Sequence, residues 1–166
     1  MKLAGINTES VVDGDGLRMT IFGQGCPHHC EGCHNPSTWD FNGGDETSPE
    51  KIISMVKENP LLDGVTFSGG EPFVHAKDFA WIAKEIHHLG LNVWSYSGYT
   101  YEELQKLAKT NEDIASFLAE IDVLVDGKFI LAKRDLSLKF RGSSNQRIID
   151  MKKTRETGKV VILYND

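Results

Sequence analysis

The sequence has no cysteine outside one short stretch, only 5 prolines in 166 residues, no long apolar run and no surplus of positive charge. Each absence excludes something. A helix that crosses a bilayer needs about 20 consecutive apolar residues, and none is present. The opening MKLAGINTESVVDGDG carries no apolar segment of the signal-peptide kind, so a cytoplasmic location away from membranes is expected. Lys and Arg number 18 against 24 Asp and Glu, a formal charge of −6, which argues against a nucleic-acid partner held mainly by phosphate contacts. An odd, clustered set of cysteines is not a disulfide framework. The 40% hydrophobic and 25% charged composition is that of an ordinary globular chain, expected to form one domain over 1–166.

The cysteines that are present lie together in CPHHCEGC, as Cys26, Cys30 and Cys33. Thiolates packed this tightly usually share a metal or a cluster. A four-iron cluster takes one thiolate per iron, so three leave one iron open, the mark of a centre that does chemistry rather than bracing a fold. The alternative is a zinc knot with His28, His29 or His34 as fourth ligand, although such sites usually come as separated ligand pairs.

Strand and helix periods alternate along the rest of the chain. Leu17, Met19 and Ile21 alternate with Arg18, Thr20 and Phe22 in a first strand that runs into the cysteine loop. Ser48 and Pro49 open a helix with the stripe Ile52, Ile53 and Val56, stopped by Pro60. A second strand covers 64–68. The next helix carries Phe79, Ile82, Ala83, Ile86 and Leu89, with Gly90 as its C-terminal cap, and a third strand covers 91–96. Thr100 and Glu103 form a capping box ahead of Leu104, Leu107 and Ala108, and a further helix carries Ile114, Phe117 and Leu118. A fourth strand covers 121–125, with weaker ones at 147–150 and 160–164.

Phe67, Tyr96 and Val125 recur at intervals of 29 residues, the length of one strand–helix–strand unit. That predicts a parallel sheet with every strand's C-terminal end on one rim. A closed eight-unit barrel needs upward of about 200 residues. The expected fold class is therefore α/β, a partial, open (β/α) barrel of about six parallel strands. The cysteine loop, SGGEP, SYSGY and DGKF each follow one of the first four strands, so they are expected to meet on that rim.

Three cysteines spaced by three residues and then two, after a first strand, resemble the cluster loop of radical S-adenosylmethionine enzymes. VDGDGLRMTIFGQGCPHHCEGCHNPSTWD is similar to the N-terminal signature of the glycyl-radical enzyme activases. VLVDGKF and RGSSNQR are similar to the branch acting on anaerobic ribonucleotide reductase, and the likeness covers about residues 10 to 150. An activase of another glycyl-radical enzyme, such as pyruvate formate-lyase, is the nearest alternative, and a non-catalytic zinc-binding module the distant one. Three positions depart from the pattern: Gly32 where many loops have an aromatic residue, Asp15 where proline is common, and His34 where Tyr is common.

The resemblance implies one cluster on Cys26, Cys30 and Cys33, with S-adenosylmethionine chelating the open iron. It places Gly32, Cys33 and His34 against the adenosyl part and Gly69 and Gly70 against the methionine part, with Glu71 accepting from the amino group. An electron from a low-potential donor such as flavodoxin would cleave the sulfur–C5′ bond. The resulting radical would take a hydrogen from a glycine Cα of an anaerobic ribonucleoside-triphosphate reductase, the protein substrate. A branched side chain at Gly70 is then expected to block the cofactor while leaving the cluster intact.

Taken without the resemblance, SGGEP is equally a strand-to-helix turn. Ser95, Ser97 and Gly98 fit ligand contacts or a capped turn, and Asp126 and Lys128 an ion pair, a cofactor contact or a partner contact. Asp13 to Gly16 is most simply a turn, Trp39 a packing lid, and His87 and His88 ordinary helix residues. The basic segment with Lys152, Lys153, Arg155 and Lys159 suits a solvated surface or the docking of an acidic electron carrier or partner.

Overall fold

The computed structural model describes residues 1–165, so the last position of the expected 1–166 domain lies outside the described residues. The strands are β1 (Lys2–Ser10), β2 (Arg18–Gly23), β3 (Asp45–Glu46), β4 (Gly64–Gly69), β5 (Asn92–Tyr96), β6 (Val123–Asp126), β7 (Arg147–Asp150) and β8 (Ile162–Tyr164). They form one open sheet in the order β3-β1-β2-β4-β5-β6-β7-β8. The pairs β2–β4, β4–β5 and β5–β6 are parallel, in registers such as Met19 with Val65 and Ser95 with Leu124.

About six parallel strands were expected and four are found, because β1, β7 and β8 run antiparallel to their neighbours. A parallel return needs a crossover of a dozen or more residues, and the 11–17 and 151–161 connections, which join β1 to β2 and β7 to β8, are both shorter. The longer 127–146 connection holds no α-helix to cross a face of the sheet, and it returns β7 antiparallel to β6. β1 had no counterpart in the sequence reading, since only Leu3 and Ser10 of its nine residues are buried and there is no alternation to detect.

The helices are α1 (Pro49–Lys57), α2 (Ala76–His88), α3 (Tyr101–Ala108), α4 (Glu112–Glu120) and α5 (Met151–Thr157). The two N-terminal caps that were expected form: Ser48 accepts from the Lys51 N–H, and Thr100 and Glu103 form a reciprocal box. Asn111 also caps α4. Gly90, at φ +79°, takes the left-handed turn that ends α2.

One face of the sheet carries Met19, Ile21, Val65, Phe67, Val93 and Leu124, and the helices bury Ile52, Val56, Phe79, Ile82, Leu104 and Phe117 against it. Phe67 packs on Phe79 at 4.5 Å and on Phe117 at 5.2 Å between ring centroids. His87 is more than an ordinary helix residue: its Nδ1 and Nε2 lie 2.8 Å from Glu120 and Asp122, tying α2 to the entry of β6.

The alternate residues Arg18, Thr20, Thr66, Trp94 and Tyr96 face the other way. Arg18 is fully buried. It donates to Thr66 Oγ1 at 2.7 Å and to the carbonyls of Asp15 and Val65 at 2.9 Å, with Trp94 5.4 Å from its guanidinium. Burial pushes its pKa down to about 10, with nearby Asp15 and Asp63 acting in the opposite sense. The segment expected to be a simple turn lies across this face: the Asp13 carboxylate accepts from Thr20 and its carbonyl from Thr66.

Because Phe117 is fully buried between Phe67, Phe73 and Phe79, Phe117→Ala is expected to destabilise the fold by about 3–5 kcal/mol. Urea unfolding monitored by far-ultraviolet circular dichroism checks this, with the midpoint lowered and the slope unchanged.

Candidate functional site

The loops after β2, β4, β5 and β6 leave the same rim and surround a cavity of about 430 Å³. Cys26, Cys30 and Cys33 all line it, and all three are free thiols. The loop bearing them is closed at its neck, where the Gly25 N–H donates to the Thr38 carbonyl at 2.6 Å and the Cys26 N–H to that of Trp39 at 3.2 Å. A turn from the Cys30 carbonyl to the Cys33 N–H shapes the second half, and the Asn35 N–H donates to Cys33 Sγ at 3.4 Å. His29, at φ +49°, stacks on Trp39 at 4.6 Å and 6° between planes, which holds it in a region that favours glycine. Burial pushes the Cys26 thiol up, while the His28 and His29 amides act against that shift.

Glu71 joins this loop to the next two. Its carboxylate has no exposed surface. His28 Nε2–H donates to Oε1 at 2.7 Å, the Gly98 N–H to Oε1 at 2.7 Å, the Ser97 hydroxyl to the carboxylate at 3.0 Å and the Phe73 N–H to Oε2 at 3.0 Å. With these donors in place, Glu71 meets the amino group of a ligand only by giving one of them up.

Gly69 and Gly70 border the cavity, but their lack of a side chain is already required by the protein itself. A Cβ on Gly69 would stand 2.4 Å from the Gly23 nitrogen and one on Gly70 2.3 Å from the Gly25 carbonyl oxygen. The backbone of SGGEP is bonded to the neck of the cysteine loop, Gly70 N–H to Gly23 O and Glu71 N–H to Gly25 O, both at 2.9 Å.

The model of the family described as "4Fe-4S single cluster domain" matches residues 12–149. Among curated proteins, the chain is similar to the anaerobic ribonucleoside-triphosphate reductase-activating protein of Haemophilus influenzae, 35% identical over 147 residues, 83% of this chain and 90% of that protein. The protein of that name from Vibrio cholerae is 37% identical over the same shares of both chains. The one from Enterobacteria phage T4 is 29% identical over 82% of this chain and 86% of its own length. The chain belongs to the family of anaerobic ribonucleoside-triphosphate reductase-activating proteins.

An iron–sulfur centre in a protein of this family has its requirements met here. Among the described residues, no group of three His, Cys, Asp or Glu side chains is placed to hold a single metal ion. A cluster takes one thiolate per iron, and three thiols border one cavity. An amide N–H already points at one sulfur, and the buried indole N–H of Trp39, in the cavity wall, has no partner among the described residues. Hydrogen bonds to cluster sulfurs are among the means by which proteins set the potential.

The other residues singled out from the sequence divide by position. His34 and Ser97 line the cavity. Gly32, at φ +75°, and His34 pack against Leu131 and Phe129, a Cβ on Gly32 lying 2.8 Å from Leu131 Cδ1. Ser95 is buried on the helix-facing side of β5. Asp126 does not pair with Lys128: it is buried, accepts from the Tyr101 N–H and forms an ion pair with Arg147, whose pKa is thereby raised.

The sequence reading missed Tyr96, whose ring lines the cavity and whose hydroxyl donates to the Phe140 carbonyl at 2.6 Å. Strand alternation opposite Ser95 was the available signal. It also missed the 130–140 segment, which carries no periodicity, although it placed DGKF with Lys128 on the rim.

A β-branched side chain at Gly70 would push on the Gly25 carbonyl beside Cys26. Gly70→Val is therefore expected to lose most of its iron and sulfide, and not the cofactor alone. Metal and sulfide analysis after anaerobic reconstitution checks this; an iron content equal to that of the unaltered protein would overturn it.

Proposed function

We propose that this chain is a radical S-adenosylmethionine activase that installs the glycyl radical of an anaerobic ribonucleoside-triphosphate reductase. The observation that carries the reading is the meeting of three free thiols, and no fourth cysteine, on one cavity at the C-terminal ends of four parallel strands. Family membership supports it, since the relatives are named for activating that reductase. When bound, a reduced cluster supplies the electron that cleaves the sulfur–C5′ bond of S-adenosylmethionine, and the carbon radical so formed takes one hydrogen from the reductase glycine.

The residues of the chain bind and orient. Cys26, Cys30 and Cys33 hold one iron each. Glu71, His28 and Ser97 keep the thiols in register with the β4 and β5 loops. Gly69 and Gly70 present backbone to the methionine part, and Gly32, Cys33 and His34 border the adenosyl part. Tyr96 and Trp39 close the cavity wall and limit water. A low-potential carrier such as flavodoxin provides the electron in the cytoplasm.

Anaerobic reconstitution with iron and sulfide is expected to give a brown protein that forms 5′-deoxyadenosine when reductant and S-adenosylmethionine are added. Replacing any one of Cys26, Cys30 and Cys33 with Ala should abolish cofactor cleavage yet leave thermal unfolding nearly unchanged, since the hydrophobic core lies on the other face of the sheet. Electron paramagnetic resonance should show a glycyl doublet only with the reductase present and not with its target glycine changed to Ala. Stoichiometric zinc in a colourless protein, or a doublet needing no reductase, would overturn the reading.

A further inference from the structure

Beside the cavity, the chain between β6 and β7 makes an excursion of unusual composition. Residues 128–141 hold five cations, Lys128, Lys133, Arg134, Lys139 and Arg141, and one carboxylate, Asp135, in a chain of formal charge −6. They also hold six large apolar residues, and Leu136 is 85% exposed, Leu131 42% and Ile130 39%. Val11 and Val12, 68% and 70% exposed on the 11–17 connection, add to this apolar surface, and Val12 lines the same cavity as Leu136.

The base of the excursion is firmly built. Gln146 Oε1 accepts from the Gly142 and Ser143 amides, and Gln146 Nε2–H donates to the Gly127 carbonyl. Buried Ser143 accepts from the Ile130 N–H, and Asn145 donates to the Lys128 carbonyl. The polar residues of RGSSNQR thus hold a fixed base under a tip whose residues 130–137 are all exposed. Leu131 and Phe129 pack against the second half of the cysteine loop.

We infer that the 128–141 excursion is the surface on which the reductase docks, through an acidic segment with apolar residues next to its target glycine. The inference rests on the function proposed above and adds where, and by what chemistry, the partner is held. Cations gathered on one loop of an acidic chain attract a partner segment of opposite charge, while the acidic remainder of the chain repels that segment and so favours this one place of contact. Exposed leucines inside that field provide the contact area. An electron carrier need only come near the cluster, but hydrogen abstraction requires the glycine within about 3–3.5 Å of the radical carbon, so the protein at the cavity mouth is the one that donates the hydrogen. The basic residues of α5, suggested by the sequence as a dock, begin where β7 pairs with the start of β6, at the opposite rim from the cavity.

The test uses the reconstituted full chain and measures affinity for the reductase at low and high salt, with cluster content and reductase-independent 5′-deoxyadenosine formation as controls. Lys133→Glu with Arg134→Glu is expected to weaken binding about tenfold or more at low salt, with the difference shrinking at high salt. Cluster content and reductase-independent cleavage should stay at the level of the unaltered protein. Leu136→Ser should weaken binding at both salt concentrations, and Lys152→Glu with Lys153→Glu should change nothing. Excursion variants that bind and activate the reductase normally would overturn the docking surface while leaving the function standing. So would variants that lose only reduction by an acidic carrier. If the unaltered chain cleaves the cofactor but neither binds the reductase nor transfers a radical to it, the functional reading itself falls.

Discussion

A single buried carboxylate sets the geometry of the rim. Glu71 has no solvent contact, and an ionised carboxylate in that position is costly unless hydrogen bonds replace its water. Its donors come from three places: His28 in the cysteine loop, Ser97 and Gly98 after β5, and Phe73 in its own turn. Satisfying the charge therefore requires all three loops to take their places together. Gly69 and Gly70 come close to the neck of the cysteine loop because β2 and β4 stay paired to their ends, Gly23 beside Gly69, with the Gly70 N–H donating to the Gly23 carbonyl.

The two faces of the sheet divide the work. The helix-covered face, Ser95 apart, is lined by apolar side chains and supplies the stability, whereas the other carries Arg18, Thr20, Thr66 and Tyr96, with the 11–17 segment laid across it. Arg18 uses its donors on backbone and hydroxyl acceptors from three segments, the 11–17 connection, β4 and, at 3.4 Å, the Asn92 carbonyl of β5, an arrangement that suits its fixed, planar fork. The site can thus be open and polar on one side because the core lies on the other. The Asp126–Arg147 pair and the side chains of Ser143, Asn145 and Gln146 extend the arrangement to the excursion that borders the cavity.

Much of this was legible in the chain itself. The four parallel strands and four of the helices lie where hydrophobic period and capping residues put them, because both depend on neighbours within a few positions. Ser48, Thr100, Glu103 and Gly90 act as their types suggest. β1 was not legible, since an edge strand with two buried residues leaves no alternating pattern. Nor were the directions of β7 and β8, which depend on how far the short 151–161 connection can reach and on the path of the helix-free 127–146 segment. At the site, the cysteines and the loops that meet them could be named, but the partners of Glu71 and Asp126 could not.

By itself the sequence determined which chemical groups the rim would hold: three thiols at fixed spacing, glycines after the second strand, and no fourth cysteine. It did so because ligand spacing and strand period are local properties. Only the tertiary structure decided what those groups do to one another. His28 and Glu71 are 43 residues apart, and Asp126 takes Arg147, 21 residues on, instead of nearby Lys128. Such pairings are set by where the strands deliver their loops, and a buried charge takes whichever donors that delivery brings within reach.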